Sequence, residues 1–206
     1  NKVGYFAGAG DVTVEALSNI GYDVTELQEA DLTPENLKQF DAIVVGIRAL
    51  NVNHRADFWM PKLLAYTEAG GTLVLQYNTR HRLKTDKIGP YPIKLSRDRV
   101  TEEDAAVSFL APTHPVLNTP NKITQDDFKG WVQERGLYFP NEWDEQYTPI
   151  LSWHDKGEDA KTGSLLVAKY GKGHYVYTGI SFFREFPAGV PGAYRLFVNL
   201  ISLGNE

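Results

Sequence analysis

The sequence predicts an α/β domain built on a mostly parallel, doubly wound sheet with helices on both faces. Three observations predict it. Short apolar runs alternate with segments of helical spacing, glycines punctuate the junctions between them, and a glycine-turned hairpin pattern appears near the end.

The elements follow in order. Lys2 to Ala7 is an aromatic-rich strand that stops at Gly8-Ala9-Gly10-Asp11, after which Val14, Leu17 and Ile20 recur at helical spacing up to Gly21. Tyr22 to Leu27 reads as a second strand. Thr33-Pro34-Glu35 starts a helix with Thr as N-cap and Pro in the first turn, and Asp41 to Gly46 is a third, wholly apolar strand. Phe58 to Ala69 is an amphipathic helix closed by Gly70-Gly71, and Thr72 to Gln76 is a fourth strand. Strands alternating with helices imply parallel pairing and a sheet covered on both sides.

From Tyr77 to about Tyr147 the pattern breaks into proline-punctuated pieces, a loop-rich insertion with two strands expected near Pro92–Ser96 and Ala106–Leu110. Leu151-Ser152-Trp153, Ser164 to Tyr170 and His174 to Ile180 together read as a terminal antiparallel hairpin turned at Gly171-Lys172-Gly173. A last helix runs from about Pro191 to Leu203. No linker or repeat divides the chain, so residues 1–206 are expected to form one domain.

Composition excludes several functions. With 21 Lys+Arg against 26 Asp+Glu, the chain has no basic excess to neutralise phosphates, so nucleic acid is not an expected partner. There is no cysteine, which removes disulfides, thiolate metal sites and every cysteine nucleophile. No apolar run approaches the roughly 20 residues that span a bilayer. The five histidines show no H-x-x-x-H or H-E-x-x-H spacing, so neither a metal nor a cofactor is expected.

Candidate chemistry gathers where strands end. Gly8-Ala9-Gly10-Asp11 is a defective dinucleotide fingerprint, because Thr13 stands where a third glycine belongs; a structural turn with Asp11 as N-cap is the plainer reading. Gln76-Tyr77-Asn78 occupies the place where hydrolases of this architecture hold a nucleophile, yet none of the three is a usual one. Their polar groups suit ligand binding at the carboxyl ends of the strands. Arg48 and Asn51 border the same crevice; the guanidinium either meets a carboxylate or sugar hydroxyls, or pairs internally with acidic loop residues. The stretch from Asp126 to Tyr138 mixes acids, aromatics, Gln133 and Arg135 as sugar recognition requires, or else pins the insertion through buried ion pairs. Phe182 to Phe186, with Arg184, lines the crevice or anchors the last helix.

Taken together, Gly46-Ile47-Arg48-Ala49-Leu50-Asn51, His114-Pro115-Val116-Leu117-Asn118, Trp131 to Tyr138, Tyr170-Gly171-Lys172-Gly173-His174 and Phe183 to Arg195 resemble the C-terminal domain of some large bacterial LmbE/PIG-L-type N-acetylglucosaminyl deacetylases. That domain is similar to the class I glutamine-amidotransferase-like superfamily, including its ThuA-like group associated with sugar utilisation. The resemblance implies a flavodoxin-like three-layer sandwich, a carbohydrate ligand, a covalently linked or docked deacetylase domain, and a secreted or periplasmic parent protein. It does not imply glutamine hydrolysis, since the elbow cysteine is missing, nor deacetylation, whose zinc motif lies in the other domain.

Three functional expectations follow. One is a non-catalytic carbohydrate-associated module binding through Arg48, Asn51, Gln76, Tyr77, Asn78, Gln133, Arg135 and Arg184. Another is a sugar-directed hydrolase or isomerase that uses His114 with Asp127 or Glu134 as an acid–base pair, which requires those groups within about 3 Å of one substrate atom. A structural domain docking on a deacetylase is the third, and it predicts a large exposed apolar patch.

Overall fold

The computed structural model of the chain describes residues 1–205. Its first half is β1 (Lys2–Phe6), α1 (Thr13–Asn19), β2 (Asp23–Leu27), α2 (Pro34–Leu37), β3 (Ala42–Val45), α3 (Ala49–Val52), α4 (Ala56–Glu68) and β4 (Thr72–Gln76). The second half holds β5 (Ile93–Val100), β6 (Ser108–Phe109), β7 (Gly136–Trp143), β8 (Thr148–Pro149), β9 (Leu151–Ser152), β10 (Leu165–Tyr170), β11 (Gly173–Thr178), α5 (Phe182–Glu185) and α6 (Pro191–Ser202).

The main sheet has seven strands in the order β2-β1-β3-β4-β11-β10-β8. β2, β1, β3, β4 and β11 run parallel, so their carboxyl ends share one edge, while β10 returns antiparallel. Side chains two apart face the same way. Val44, Val74 and Val176 therefore pack on Leu17 of α1 and Leu196 and Phe197 of α6. Ile43, Leu73, Leu75, Tyr175 and Tyr177 pack on Trp59, Met60 and Leu63 of α4. The hairpin turn needs its glycines: a Cβ on Gly173 would stand 2.0 Å from the Thr67 carbonyl oxygen.

The insertion departs from expectation in detail. β5 runs on to Val100 and pairs with β7, an eight-residue strand that the sequence pattern hides because Pro140 lies inside it. In a two-stranded ribbon the proline can turn its donorless edge away from the partner. Leu151-Ser152 leaves the terminal hairpin and pairs with β6.

The insertion is tied to the core along one face of α6. Arg195 Nε donates to Asp127 Oδ1 at 2.7 Å. Asn199 Nδ2 donates to the carbonyls of Val116 and Asn121, at 2.9 and 2.8 Å, and its Oδ1 accepts from the Asn121 amide at 3.0 Å. Deeper in, Arg135 is 3% exposed and lies among Phe128, Trp131 and Trp153, each ring centroid within 5.8 Å of its guanidinium carbon. It donates to the carbonyls of Phe128 and Ala105, and burial lowers its pKa to about 10. Of the two readings of the 126–138 stretch, pinning thus describes Asp127 and Arg135.

Candidate ligand site at the carboxyl edge

The edge begins at the turn after β1. Gly8 lies so close to the turn after β3 that a Cβ would meet the Ile47 carbonyl oxygen at 2.0 Å and the Ala49 amide nitrogen at 2.8 Å. Asp11 accepts from the amides of Thr13 (2.8 Å) and Ile47 (3.2 Å), so it caps the turn one residue ahead of the helix N-cap, Val12. The Tyr5 hydroxyl also reaches Asp11, and burial followed by that carboxylate raises the Tyr5 pKa. These contacts spend Asp11 on the fold and make the glycine turn a structural clamp.

Next along the edge is Arg48. Its backbone is left-handed, with φ of 57°, and its amide donates to the Tyr77 carbonyl at 2.8 Å. A non-glycine residue in this region costs of order 1 kcal/mol or more and persists only where the surroundings over-determine it. The side chain is exposed, and among the described residues nothing hydrogen-bonds or ion-pairs with its guanidinium. The internal ion pair, the plainer expectation for Arg48, is therefore corrected: among the described residues no carboxylate lies within ion-pair distance of it.

Tyr77 follows β4 and forms the centre. Its ring lies 6.2 Å from that of Tyr138, nearly parallel to it at 7°, and 5.2 Å from that of Phe183. Burial raises its phenol pKa, and the charges of Arg48 and Arg184 oppose that rise. Its hydroxyl has no hydrogen-bond partner among the described residues. Arg184 lies 5.0 Å above the Phe183 ring, donates through Nε to Glu134 and through Nη1 to Gln133 Oε1 at 2.8 Å. Gln133 and Tyr138 are also left-handed, with φ of 67° and 51°. Three of the four non-glycine residues with positive φ among those described thus converge here. Glu103 meets the Gln133 amide from behind.

Other expected site residues support this edge from beneath. Asn78 is fully buried: its Oδ1 accepts from the Leu50 amide (2.9 Å), its Nδ2 donates to the Gln76 carbonyl (3.1 Å), and its own amide donates to the Tyr177 hydroxyl (2.9 Å). Asn51 clamps the 79–81 loop through Thr79 and His81. Gln76 is 1% exposed, donates to Thr13 Oγ1 at 3.3 Å and leaves its Oε1 without a partner. Asn51 and Asn78 thus hold the backbone of the site, while Arg135 holds the insertion and keeps its buried Nε without a partner among the described residues.

The expected acid–base pair is not assembled. His114 caps the short 3-10 turn at Pro115–Leu117 and borders a concavity of about 360 Å³ with His174 and Leu203, at the amino-terminal ends of the strands. Asp127 is held by Arg195, one α6 face away, and eight residues separate Arg195 from Leu203, roughly 12 Å along a helix. Glu134 is on the opposite, carboxyl edge with Arg184. Topology, not spacing, decides this, since α6 runs from one edge of the sheet to the other.

No nucleophile elbow forms either. Residues 76–79 carry no positive φ, and the chain after β4 leaves as extended loop instead of turning into a helix. Concavities of about 350 to 660 Å³ elsewhere in the fold are lined by residues other than Arg48, Tyr77, Gln133, Tyr138 and Arg184: they lie beside α2 and α4, under the 86–94 loop, at His114 and His174, at Arg80 to Leu95, and at Glu103 to Arg135. The carboxyl edge is an open platform. The exposed large apolar residues, Ile20, Val52, Phe58 and Leu110, fall on different elements and gather into no single patch of one element. Sequence reading includes Tyr138 in the 126–138 stretch without singling it out, since nothing in the local pattern announces a left-handed tyrosine. Nor does it find Glu185, a fully buried carboxyl that accepts from the Val132 amide at 2.7 Å and the Ser181 hydroxyl at 3.3 Å.

No family model matches the chain, and no curated protein does. Solved structures do match. A GMP synthase component from Thermoplasma acidophilum is 12% identical with a TM-score of 0.59, over 100% of this chain and 95% of that one. A ThuA-like protein from Bacteroides uniformis is 14% identical with a TM-score of 0.58, over 98% and 90%. The cold-adapted β-galactosidase from Rahnella sp. R3 is 16% identical with a TM-score of 0.56, over 96% of this chain but 31% of its own. The chain has the class I glutamine-amidotransferase-like α/β fold, without the cysteine. At such identities the likeness concerns architecture alone.

Proposed function

We propose that the chain is a non-hydrolytic, carbohydrate-directed binding domain that presents its ligand platform at the carboxyl edge of the sheet. One observation carries this reading: an unpaired Arg48, an unpartnered Tyr77 hydroxyl, Gln133, Tyr138 and the Phe183–Arg184 pair meet at one edge, three of them on left-handed backbone. Aromatic faces stack on the C–H surfaces of sugars, and planar polar groups take paired oxygens. Backbone strain kept at these positions supports a functional reading of the edge. The β-galactosidase match supports an accessory role, since there the same fold makes up under a third of a longer carbohydrate-acting chain. Attachment to a deacetylase of the LmbE/PIG-L type belongs to the same proposal, as does export of the parent protein.

Calorimetric titration with a panel of mono- and oligosaccharides tests it. A sugar that binds wild type and is lost in both Arg48→Ala and Tyr138→Ala supports the reading. Binding that survives both substitutions would place the ligand elsewhere and sink it.

A further inference from the structure

Resting on that reading, we infer that the platform selects a sugar bearing a carboxylate, a uronate or similar acidic sugar, over its neutral parent. The reason is the donor and acceptor inventory of the edge. Arg48 has five N–H donors and no protein acceptor within reach. The Tyr77 hydroxyl beside it is unpartnered, and Arg184 retains an Nη2 that bonds nothing among the described residues. The acids of this edge each hold another group: Glu134 takes Arg184, Asp11 the Thr13 and Ile47 amides, and Glu103 the Gln133 amide. A neutral sugar, whose hydroxyls must donate as well as accept, finds few acceptors here. A carboxylate needs only donors, and the Arg48 fork, the Tyr77 hydroxyl and Arg184 Nη2 supply them.

Charge narrows the ligand further. Close to Tyr77 the acting charges are the Arg48 and Arg184 guanidiniums and the Glu134 carboxylate, which leave one positive charge beside its ring and match a monoanion bound there. A phosphate monoester would bring about −1.5 to −2 at neutral pH and overshoot. Geometry agrees, because a planar carboxylate accepts the Arg48 fork in a bidentate pair while the sugar ring lies against Tyr138 and Phe183. The αL backbone of Arg48, held by the hydrogen bond its N–H donates to the Tyr77 carbonyl, fixes where that fork starts.

The test is calorimetric titration of the purified chain with glucuronate and galacturonate, with glucose and galactose, with their 6-phosphates, and with inorganic phosphate, on wild type, Arg48→Ala, Arg48→Lys and Tyr77→Phe. The expected result is at least ten-fold tighter binding of a uronate than of its neutral parent, abolished by Arg48→Ala, partly restored by Arg48→Lys and weakened by Tyr77→Phe. Neutral sugars that bind as tightly as uronates, with Arg48→Ala discriminating no less than wild type, would overturn the inference and leave the carbohydrate reading standing. Tighter binding of the 6-phosphates, or of inorganic phosphate alone, would overturn the choice of carboxylate. Silence from every ligand would remove the carbohydrate reading and the inference with it; thermal melts of the variants matching wild type would show that the platform itself was intact.

Discussion

The buried carboxyl of Glu185 makes the stability of this domain depend on pH in a direction that can be worked out beforehand. Glu185 is fully buried, and its pKa is raised to about 7, first by burial, with the Val132 amide, Ser181 and Arg135 opposing that rise. In the unfolded chain it titrates near the ordinary value of 4.5. Between those two values the folded state holds a proton that the unfolded state has released, so stability falls as pH rises through this window. A shift of this size corresponds to roughly 3 kcal/mol, fully present below about pH 4.5 and lost by about pH 7.5. Glu185→Gln keeps the shape and removes the titration. Urea denaturation of both proteins at half-unit steps from pH 4.5 to 7.5 should show the variant gaining about 3 kcal/mol on wild type across the range, with other titrating groups cancelling in the difference. Parallel stability curves for the two proteins would refute the argument and mean that the carboxylate is ionised in the fold, stabilised by Arg135 more strongly than the burial disfavours it.

Other outcomes follow from single contacts. Gly8→Ala should cost about 3 kcal/mol, the upper end for overpacking, because the new methyl meets backbone on both sides, and should lower the melting temperature by about 6–12 °C. Asn78→Ala strands the Leu50 amide and should cost about 2–3 kcal/mol in urea denaturation. Gln133→Gly should raise stability by up to about 1 kcal/mol by relieving a left-handed backbone, yet weaken ligand binding; a loss of stability would show that its bond to Arg184 outweighs the strain. Asn199→Ala should leave the sheet folded but expose residues 114–122 to proteolysis, read as early cleavage by mass spectrometry.

The parallel core was legible because its strands are buried on both faces and so read as unbroken apolar runs, as Ala42–Val45 and Thr72–Gln76 do. The insertion was harder. Its order rests on long-range pins such as Arg195 to Asp127 and Asn199 to Val116, which leave no periodicity in the local sequence. The site was legible in part for the same reason. Arg48, Tyr77 and Gln133 stand next to strand ends or glycines, and topology brings those together. Asn51 and Asn78 stand there too, but side-chain amides satisfy buried backbone as readily as they bind ligands, and sequence does not separate the two uses. His114 misled because a histidine before proline in a loop looks available, whereas its imidazole caps a turn on the far edge.

The pairing of β4 with β11 joins strands separated by nearly half the chain, and it has a consequence for assembly. Residues 48 and 77 meet through β3 and β4, but 133–138 and 183–184 join them only once β11 is in place, so the complete platform belongs to the closed sheet. Occupancy by ligand would then report completion of the whole domain, and a bound molecule would raise hydrogen-exchange protection throughout the central strands instead of around its own contacts alone.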